Sequence, residues 1–501
     1  MLTRAEQSLY RHEPSEEDVR NAKEKIAHHE LMIFSLNSQI SDLLYKVRII
    51  EEEKKARTQA ISKCKGVITL ARRIPGELLA KIFKQCIIDG WTRAPIVVSQ
   101  VCSSWREAAR TPSVWSHLYI DCDNGDPVAR CQLWLRMARQ SLLDITLRAT
   151  EHCPSLNDVL DTIIEHQAQW KSFTLETSST QTANYIFNRC SGSTPMLTEV
   201  LVRLGDSSIS SPFPEGFQEL AKITALSSAF KDASNLIRLT VFADTPQSWV
   251  GLPQLTRLSL QLNLCQFHAA RSIFASDIIE ALIMSPNLRH LSLTIPRTDR
   301  RDFELESHSE AVVFQELVSL CINFPIPSLA FIQHLRAPKL QRLYLRCPDD
   351  PNGFAGEPTR LALRRFIRES APPLKMMELY DVDIAQDDFI YLFSRLSTLE
   401  ELRLHGSEIL DETLQCISPP MSLLPHLTRI DFRWCGHISG VALESIVQNR
   451  FTSVMNGPSL SPITELTVIN CSVVNEQNIV EISGYCICRL KMPEEDNFCC
   501  K

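Results

Sequence analysis

Val19, Ile26, Ile33, Ile40 and Val47 recur at every seventh position, and Ala22, His29, Leu36, Leu43 and Ile50 follow each of them by three. This heptad, with β-branched residues at one seam position, predicts a long helix of the kind that pairs as a parallel two-stranded coiled coil. His29 is a weak layer, and continuing the register puts Lys54 and Arg57 where apolar residues belong. The seam is therefore expected to end near Ile50, with Glu51 to Arg57 as a solvated continuation. Either a second copy of the chain or a later segment of the same chain would cover it.

A second pattern follows between residues 72 and 118. Pro75 suits a first helical turn, where its missing N–H costs nothing, and Leu78, Leu79, Ile82, Phe83, Cys86 and Ile87 then form one apolar stripe. Pro95 opens another stripe through Val98, Val101, Cys102, Trp105 and Ala109, and Thr111-Pro112 leads into Val114 and Trp115. Helices this short cannot bury so much surface among themselves. They are expected to pack on a neighbouring part of the chain or to dock on a partner.

The third pattern fills the rest of the chain. The phrase L-x-x-L-x-L returns at Leu255–Leu260, Leu288–Leu293, Leu317–Ile322, Leu340–Leu345, Leu374–Leu379, Leu399–Leu404, Leu427–Phe432 and Ile463–Val468. Weaker copies stand at Trp170–Leu175, Leu197–Val202 and Leu236–Val241. Each is a short strand whose alternate residues face inward, and one copy cannot bury that face alone; stacked copies can. A multilayer α/β domain with leucine-rich strands is the alternative. In a stack, the residues between the leucines point outward, which nominates Arg342, Tyr344, Arg346, Tyr380, Arg403, His405, Arg429, Asp431, Arg433 and Trp434 as a recognition surface.

Composition narrows the function. A chain of 501 residues with 44% hydrophobic and 22% charged residues is ordinary globular protein. A formal net charge of −7 gives no electrostatic reason to bind nucleic acid, and neither a secretory signal core nor a membrane-length apolar run appears. The 17 cysteines are therefore expected to be reduced and mostly buried, in the cytoplasm or nucleus. Cys486-x-Cys488 with Cys499-Cys500 lacks a histidine at finger spacing, so a frayed tail is expected there rather than a metal site. No phosphate-binding glycine loop, nucleophile elbow or H-E-x-x-H occurs, and the 15 glycines are few for such loops. Asp387-Asp388 is expected to cap a helix or lie on a solvated face. No catalytic site, cofactor or metal is anticipated.

The run Ile74-Pro75-x-Glu77-Leu78-Leu79-x-x-Ile82-Phe83, followed by Val101-Cys102-x-x-Trp105-Arg106 and Trp115, closely resembles the F-box. Ile74 stands where the pattern usually has leucine, and Arg72-Arg73 precede it. The resemblance implies binding to a SKP-family adaptor, and through it a cullin, with Ile74, Pro75, Leu78, Leu79, Ile82, Phe83, Val101, Cys102 and Trp105 forming or supporting the adaptor surface. The later phrases resemble the cysteine-bearing leucine-rich repeats that often accompany an F-box, with Cys435 and Cys471 three residues past their strands. The expected layout is a tail (1–18), a coiled-coil helix (19–66), the F-box (67–122), a connector (123–150), an α/β leucine-rich-repeat-like solenoid (151–490) and a tail (491–501). The function so implied is that of a non-catalytic substrate receptor of an SCF-type ubiquitin ligase, its repeats holding an unidentified protein target. A ligase-independent scaffold, multimerised through residues 19–50, is the alternative.

Overall fold

The computed structural model describes residues 14–68, 74–150, 153–204, 223, 225–230, 232–243, 254–262, 273–274, 278–279, 282–283, 285–294, 303–304, 311–324, 328–347, 357–382, 384–456 and 460–491. Arg72-Arg73, Cys499-Cys500, the first 13 residues and the tail after Lys491 lie outside them. The chain divides into two compact units, Met1–Leu79 and Ala80–Lys501.

The first unit holds α1 (Glu16–Ile68), an uninterrupted helix of 53 residues, and the opening of α2 (Gly76–Ile88). Glu16, Glu17 and Asp18 lie in the first turn of α1 and Lys65 in its last, matching the helix dipole at both ends. Ser15 and Asp18 close the entry with reciprocal hydrogen bonds between backbone N–H and side-chain oxygen. The side chains of residues 14–65 are all exposed. Helix thus continues well past the expected end of the seam at Ile50.

The second unit begins within α2 and continues with α3 (Ala94–Ser99) and α4 (Ser103–Ala109). The stripe from Val98 to Ala109 reads as one helix in the sequence, but the chain breaks it at Gln100–Cys102, where Cys102 is fully extended. The Arg106 guanidinium ties the two pieces together by donating to the Ser99 carbonyl at 2.8 Å. Thr111-Pro112 opens a short 3-10 turn (Pro112–Val114) rather than a side-chain-capped α-helix.

Fourteen parallel strands then form one sheet in simple chain order. They are β1 (His117–Asp121), β2 (Leu143–Ala149), β3 (Trp170–Thr177), β4 (Glu199–Leu204), β5 (Arg238–Ala243), β6 (Arg257–Leu262) and β7 (His290–Thr294). The remainder are β8 (Ser319–Asn323), β9 (Arg342–Arg346), β10 (Met376–Tyr380), β11 (Glu401–His405), β12 (Arg429–Arg433), β13 (Glu465–Ile469) and β14 (Ile487–Lys491). Every L-x-x-L-x-L phrase supplies one strand, and the register aligns the leucines: Leu320 with Leu343, Met377, Leu402, Ile430 and Leu466, all buried. The sheet nevertheless starts earlier and ends later than the phrases do. β1 lies inside the segment read as the F-box, β2 inside the connector, and Cys486-x-Cys488 leads into the edge strand β14 instead of fraying.

Helices return the chain between strands, as parallel pairing requires. They include α5 (Pro127–Ala138), α6 (Leu156–Ile164), α7 (Thr180–Arg189), α8 (Leu226–Ala229), α9 (Glu357–Ser370), α10 (Gln386–Arg395), α11 (Asp411–Gln415), α12 (Gly440–Asn456) and α13 (Glu476–Ile482). Their apolar faces cover one side of the leucine layer. Asp388, at the start of α10, is buried rather than solvated. Its carboxylate accepts from Arg364 at 2.9 Å and pairs with Arg360 at 3.2 Å, both on α9. Burying such a charge is tolerable only because it is paired.

The turn that ends each late strand repeats as well. Asp381, Gly406, Trp434 and Asn470 directly follow β10 to β13 and all have positive φ, 49°, 64°, 52° and 56°. At Gly406 a Cβ would press on Oδ1 of Asp381, so here glycine suits both the left-handed conformation and the space left by the preceding turn.

Candidate adaptor and recognition surfaces

The helical motif splits into inward and outward halves. Leu79, Phe83, Ile87, Ala94, Val98, Ala108, Ala109, Val114 and Trp115 are buried. Leu78, Ile82, Ile88, Trp91, Val97 and Val101 are outward, each between 41% and 57% exposed. Leu78 and Ile82 stand one turn apart on the same side of α2. Of the residues nominated for the adaptor surface, Pro75, Leu78, Ile82 and Val101 are thus exposed, and Ile74, Cys102 and Trp105 are half-buried. Leu79 and Phe83 face inward. Phe83 holds Trp105 from beneath, their ring centroids 5.2 Å apart. Nothing in the sequence sets Ile88, Trp91 and Val97 apart as surface positions. Ile88 continues the Ile87 stripe and hid among core positions, while Trp91 follows the helix-ending Gly90.

The helices of the second unit are fixed to the start of the sheet. The indole of Trp115 donates to the Ala109 carbonyl at 2.6 Å and meets Trp134 of α5 edge-on. Arg130, also on α5, lies 4.5 Å above the Trp134 ring centroid and donates to the Thr92 carbonyl at 3.2 Å. Ring packing, a cation–π contact and hydrogen bonds therefore join Thr92 just before α3, the end of α4 and the Trp115 turn before β1 to α5.

On the face of the sheet opposite the leucines, seven of the nominated residues fall in two rows, while Arg342 and Arg429 lie in a third with Met376 and Glu401, and Trp434 follows β12. In one, Tyr344, Glu378, Arg403 and Asp431 are register neighbours; in the next, Arg346, Tyr380, His405 and Arg433 are. The arginines of the expected recognition surface are largely answered by carboxylates. Arg346 donates to Glu378 at 2.7 Å, and Arg403 reaches Glu378 at 3.5 Å and Glu401 at 2.6 Å. Arg429 donates to Glu401 at 2.9 Å, and Arg433 grips Asp431 with two bonds of 2.9 Å. Opposite charges on neighbouring strands stabilise a sheet face, and the same rule operates at Arg203–Glu176 and Arg238–Glu199.

His405 departs from expectation: it is buried, not outward. Its ring meets Tyr380 edge-on at 5.3 Å, and Asp431 is 3.9 Å away. Burial pushes its pKa below the ordinary 6.5, against the opposing pull of Asp431, so the ring is neutral at physiological pH. Arg342, Arg429 and Trp434 are exposed; Tyr344, Arg346, Tyr380, Arg403 and Arg433 are half-buried. The chemistry this face offers is thus aromatic edges set in a neutralised lattice of charges.

Among the described residues no cluster of three or more His, Cys, Asp or Glu side chains is placed to hold a metal ion. Nor is any described helix long and apolar enough to cross a membrane. The described cysteines are free thiols, and Cys435 and Cys471 follow consecutive strands, with Cys435 donating to the Leu404 carbonyl and Cys471 to that of Phe432.

A family model described as F-box-like matches residues 71–121, so the chain carries an F-box-like domain there. No curated protein matches the chain significantly. Among solved structures, it is similar to one titled "Crystal structure of Rad7 and Elc1 complex in yeast". The identity is 15% and the TM-score 0.33, over 84% of this chain and 95% of that one.

Proposed function

We propose that the protein is a substrate-receptor subunit of an SCF-type ubiquitin ligase. The carrying observation is the F-box-like match at residues 71–121, over helices that hold six large apolar side chains, Leu78, Ile82, Ile88, Trp91, Val97 and Val101, outward. In this reading Leu78, Ile82 and Val101 meet a SKP-family adaptor, together with Ile88, Trp91 and Val97, and Phe83 and Trp105 support them from behind. The fourteen strands are leucine-rich-repeat-like units, and the face carrying Tyr344, Tyr380 and Trp434 takes the target protein. The protein supplies no catalytic group of its own. Its contribution is proximity: a target held on one face of a body whose other end is docked on the ligase experiences a high effective concentration of activated ubiquitin. The firm junction of the helices with α5 supports this, since a fixed geometry preserves that concentration. Action in the cytoplasm or nucleus accords with the reduced cysteines.

Co-purification with a SKP-family adaptor tests the reading. The wild-type chain should retain the adaptor, and Ile82→Glu with Val101→Glu should lose it while keeping its circular dichroism spectrum, because both positions are exposed. A wild-type chain that retains no adaptor would refute it. The long exposed helix α1 favours a second reading, a ligase-independent scaffold. That reading expects partners of the sheet face to keep their turnover when the adaptor surface is disabled.

A further inference from the structure

α1 extends the heptad beyond the point where its seam was expected to stop. With Val19 at the first seam position, the unbroken helix puts Ile61 and Ile68 at that position and Cys64 at the second, after the polar layers of Lys54 and Arg57. Seven heptads separate Val19 from Ile68, about 74 Å of helix at 1.5 Å per residue, against the three or four that a stable coiled coil needs. The seam side chains are exposed along this length: Val19, Ile26, Ile33, Leu36, Ile40, Leu43, Val47, Ile50 and Ile61. Apolar side chains left in water forgo the stabilisation that burial would give them.

The flanking charges say what covers them. In a parallel pair the residue before each first-position residue faces the partner's residue five further on. That sets Asp18 against Lys23, Lys25 against Glu30 and Lys46 against Glu51 of the other copy, all of opposite sign. The remaining flanking pairs from Met32–Asn37 to Ala60–Lys65 contain at most one charge each. A slip of one heptad sets Asp18 against both Glu16 and Glu30, Lys25 against Lys23 and Glu53 against Glu51, with Glu53–Lys65 as its one pair of opposite sign. The slipped register is thus repulsive on balance, where the in-register pair is attractive. β-Branched residues fill the first seam position in every layer from Val19 to Val47, the choice that favours two parallel strands.

We infer that α1 pairs with α1 of a second copy of this chain as a parallel, in-register homodimer, which brings the two Cys64 side chains face to face. The inference does not depend on the ligase reading. In such a dimer the opposed Cys64 residues lie within disulfide reach. In an antiparallel pair centred on the 19–50 seam they would be on the order of 90 Å apart.

The full-length chain is the test object. Light scattering at micromolar concentration should give twice the 56.9 kDa chain mass. Treatment with the two-electron oxidant diamide should then join the copies. Two Cys64 thiols give up two protons and two electrons, and diamide is reduced to the hydrazine. Peptide mapping should find the Cys64–Cys64 linkage, and Cys64→Ser should abolish it without changing the mass. Ile33→Asp with Leu36→Asp should raise the dissociation constant at least a hundredfold and leave the sheet's circular dichroism intact. A monomeric or trimeric mass would overturn the proposal, as would a dimer that gives no Cys64–Cys64 linkage.

Discussion

Trp115 packs edge-on against Trp134, their ring centroids 4.9 Å apart and their planes at 74°. One ring belongs to the F-box-like segment and the other to the first helix that crosses over the sheet. Both are buried, and the Trp115 indole is anchored on the Ala109 carbonyl. Trp115→Ala should therefore cost about 3–5 kcal/mol in denaturant unfolding, whereas Trp115→Phe, which keeps a packed ring but drops the donor to Ala109, should cost less, about 1–3 kcal/mol. Hydrogen exchange should quicken in α3 and α4 of the alanine variant before it does in β10 to β13. Uniform quickening would mean that this pair does not couple the helices to the sheet.

Arg450 is wholly buried with no carboxylate in its set of hydrogen bonds. Its guanidinium donates to the carbonyls of Ile417, Leu424, Pro425, Leu427 and Ser461 at 2.7–3.2 Å. Five backbone acceptors from three segments are satisfied by one side chain, and burial pushes its pKa down only to about 10, so it stays charged at neutral pH. Leu424 and Pro425 keep the backbone N–H donors of Leu427 and Ser461, but Arg450→Met takes the guanidinium donor from the carbonyls of Ile417, Leu427 and Ser461, each worth about 1–3 kcal/mol if it stays dry. The expected loss is at least about 3 kcal/mol. Arg450→Lys, with one compact head in place of a fork, should recover less than half of it. Equal stability of the methionine variant would refute this account.

His405 and His117 make the fold sensitive to mild acid. Burial lowers both pKa values below 6.5, partly offset by Asp431 at His405 and by Asp144 at His117. Arg403, Arg433 and Glu378 also face His405. The unfolded chain then takes up protons first, so unfolding gains free energy as pH falls from about 6.5 through the depressed folded values. Stability should be constant from pH 8 to 7 and decline between 6.5 and 5, before the carboxylates titrate. Denaturant midpoints across that range should show it, and His405→Phe should flatten the slope. An unchanged slope would assign the decline elsewhere.

Glu378 is buried between Arg346 and Arg403, and removing its charge tests whether the ion lattice stabilises this face of the sheet. Glu378→Gln should cost about 1–3 kcal/mol: breaking a buried pair costs about 3–5 kcal/mol, but both arginines keep access to water. It should also weaken with salt less steeply than the parent does, because fewer charges remain to be screened. A variant of parental stability at low and high salt would show the pairing to be idle.

Much of this was readable in the chain because it repeats. One phrase with alternate leucines names a strand whichever copy carries it, and eleven of the fourteen strands announce themselves that way. β1, with the sequence HLYID, carries no such phrase, and its place is set by β2 beside it. The pairing of Arg403 with Glu378, and of Arg429 with Glu401, joins residues 25 and 28 apart. Alternation shows that those side chains share a face, yet not that the carboxylates quench the arginines. His405 has the same outward parity as Arg403 but is covered by Tyr380 from the preceding strand, so parity alone misplaced it. The break in the Val98–Ala109 stripe lacks glycine or proline, and only the extended Cys102 reveals it.

Trp434 occupies a position where its own fold prefers something else. Three of the four residues that end β10 to β13 are Asp, Gly and Asn, the types that enter the left-handed region most readily. Trp434 has φ 52° there, holds the ladder with its N–H on the Ile469 carbonyl at 2.9 Å, and leaves half its surface exposed. A bulky residue in that conformation costs about 1–2 kcal/mol, and its exposed ring returns little of this by burial. Trp434→Gly should therefore leave stability unchanged or raise it by up to about 1 kcal/mol. If the sheet face takes the target, the same change should cost at least tenfold in target capture, since a rigid exposed aromatic is the usual anchor of such a surface. Thermal unfolding and quantitative affinity capture on the two chains check both halves. Destabilisation by more than 1 kcal/mol would show that the indole serves the fold, and undiminished capture would remove Trp434 from the recognition surface.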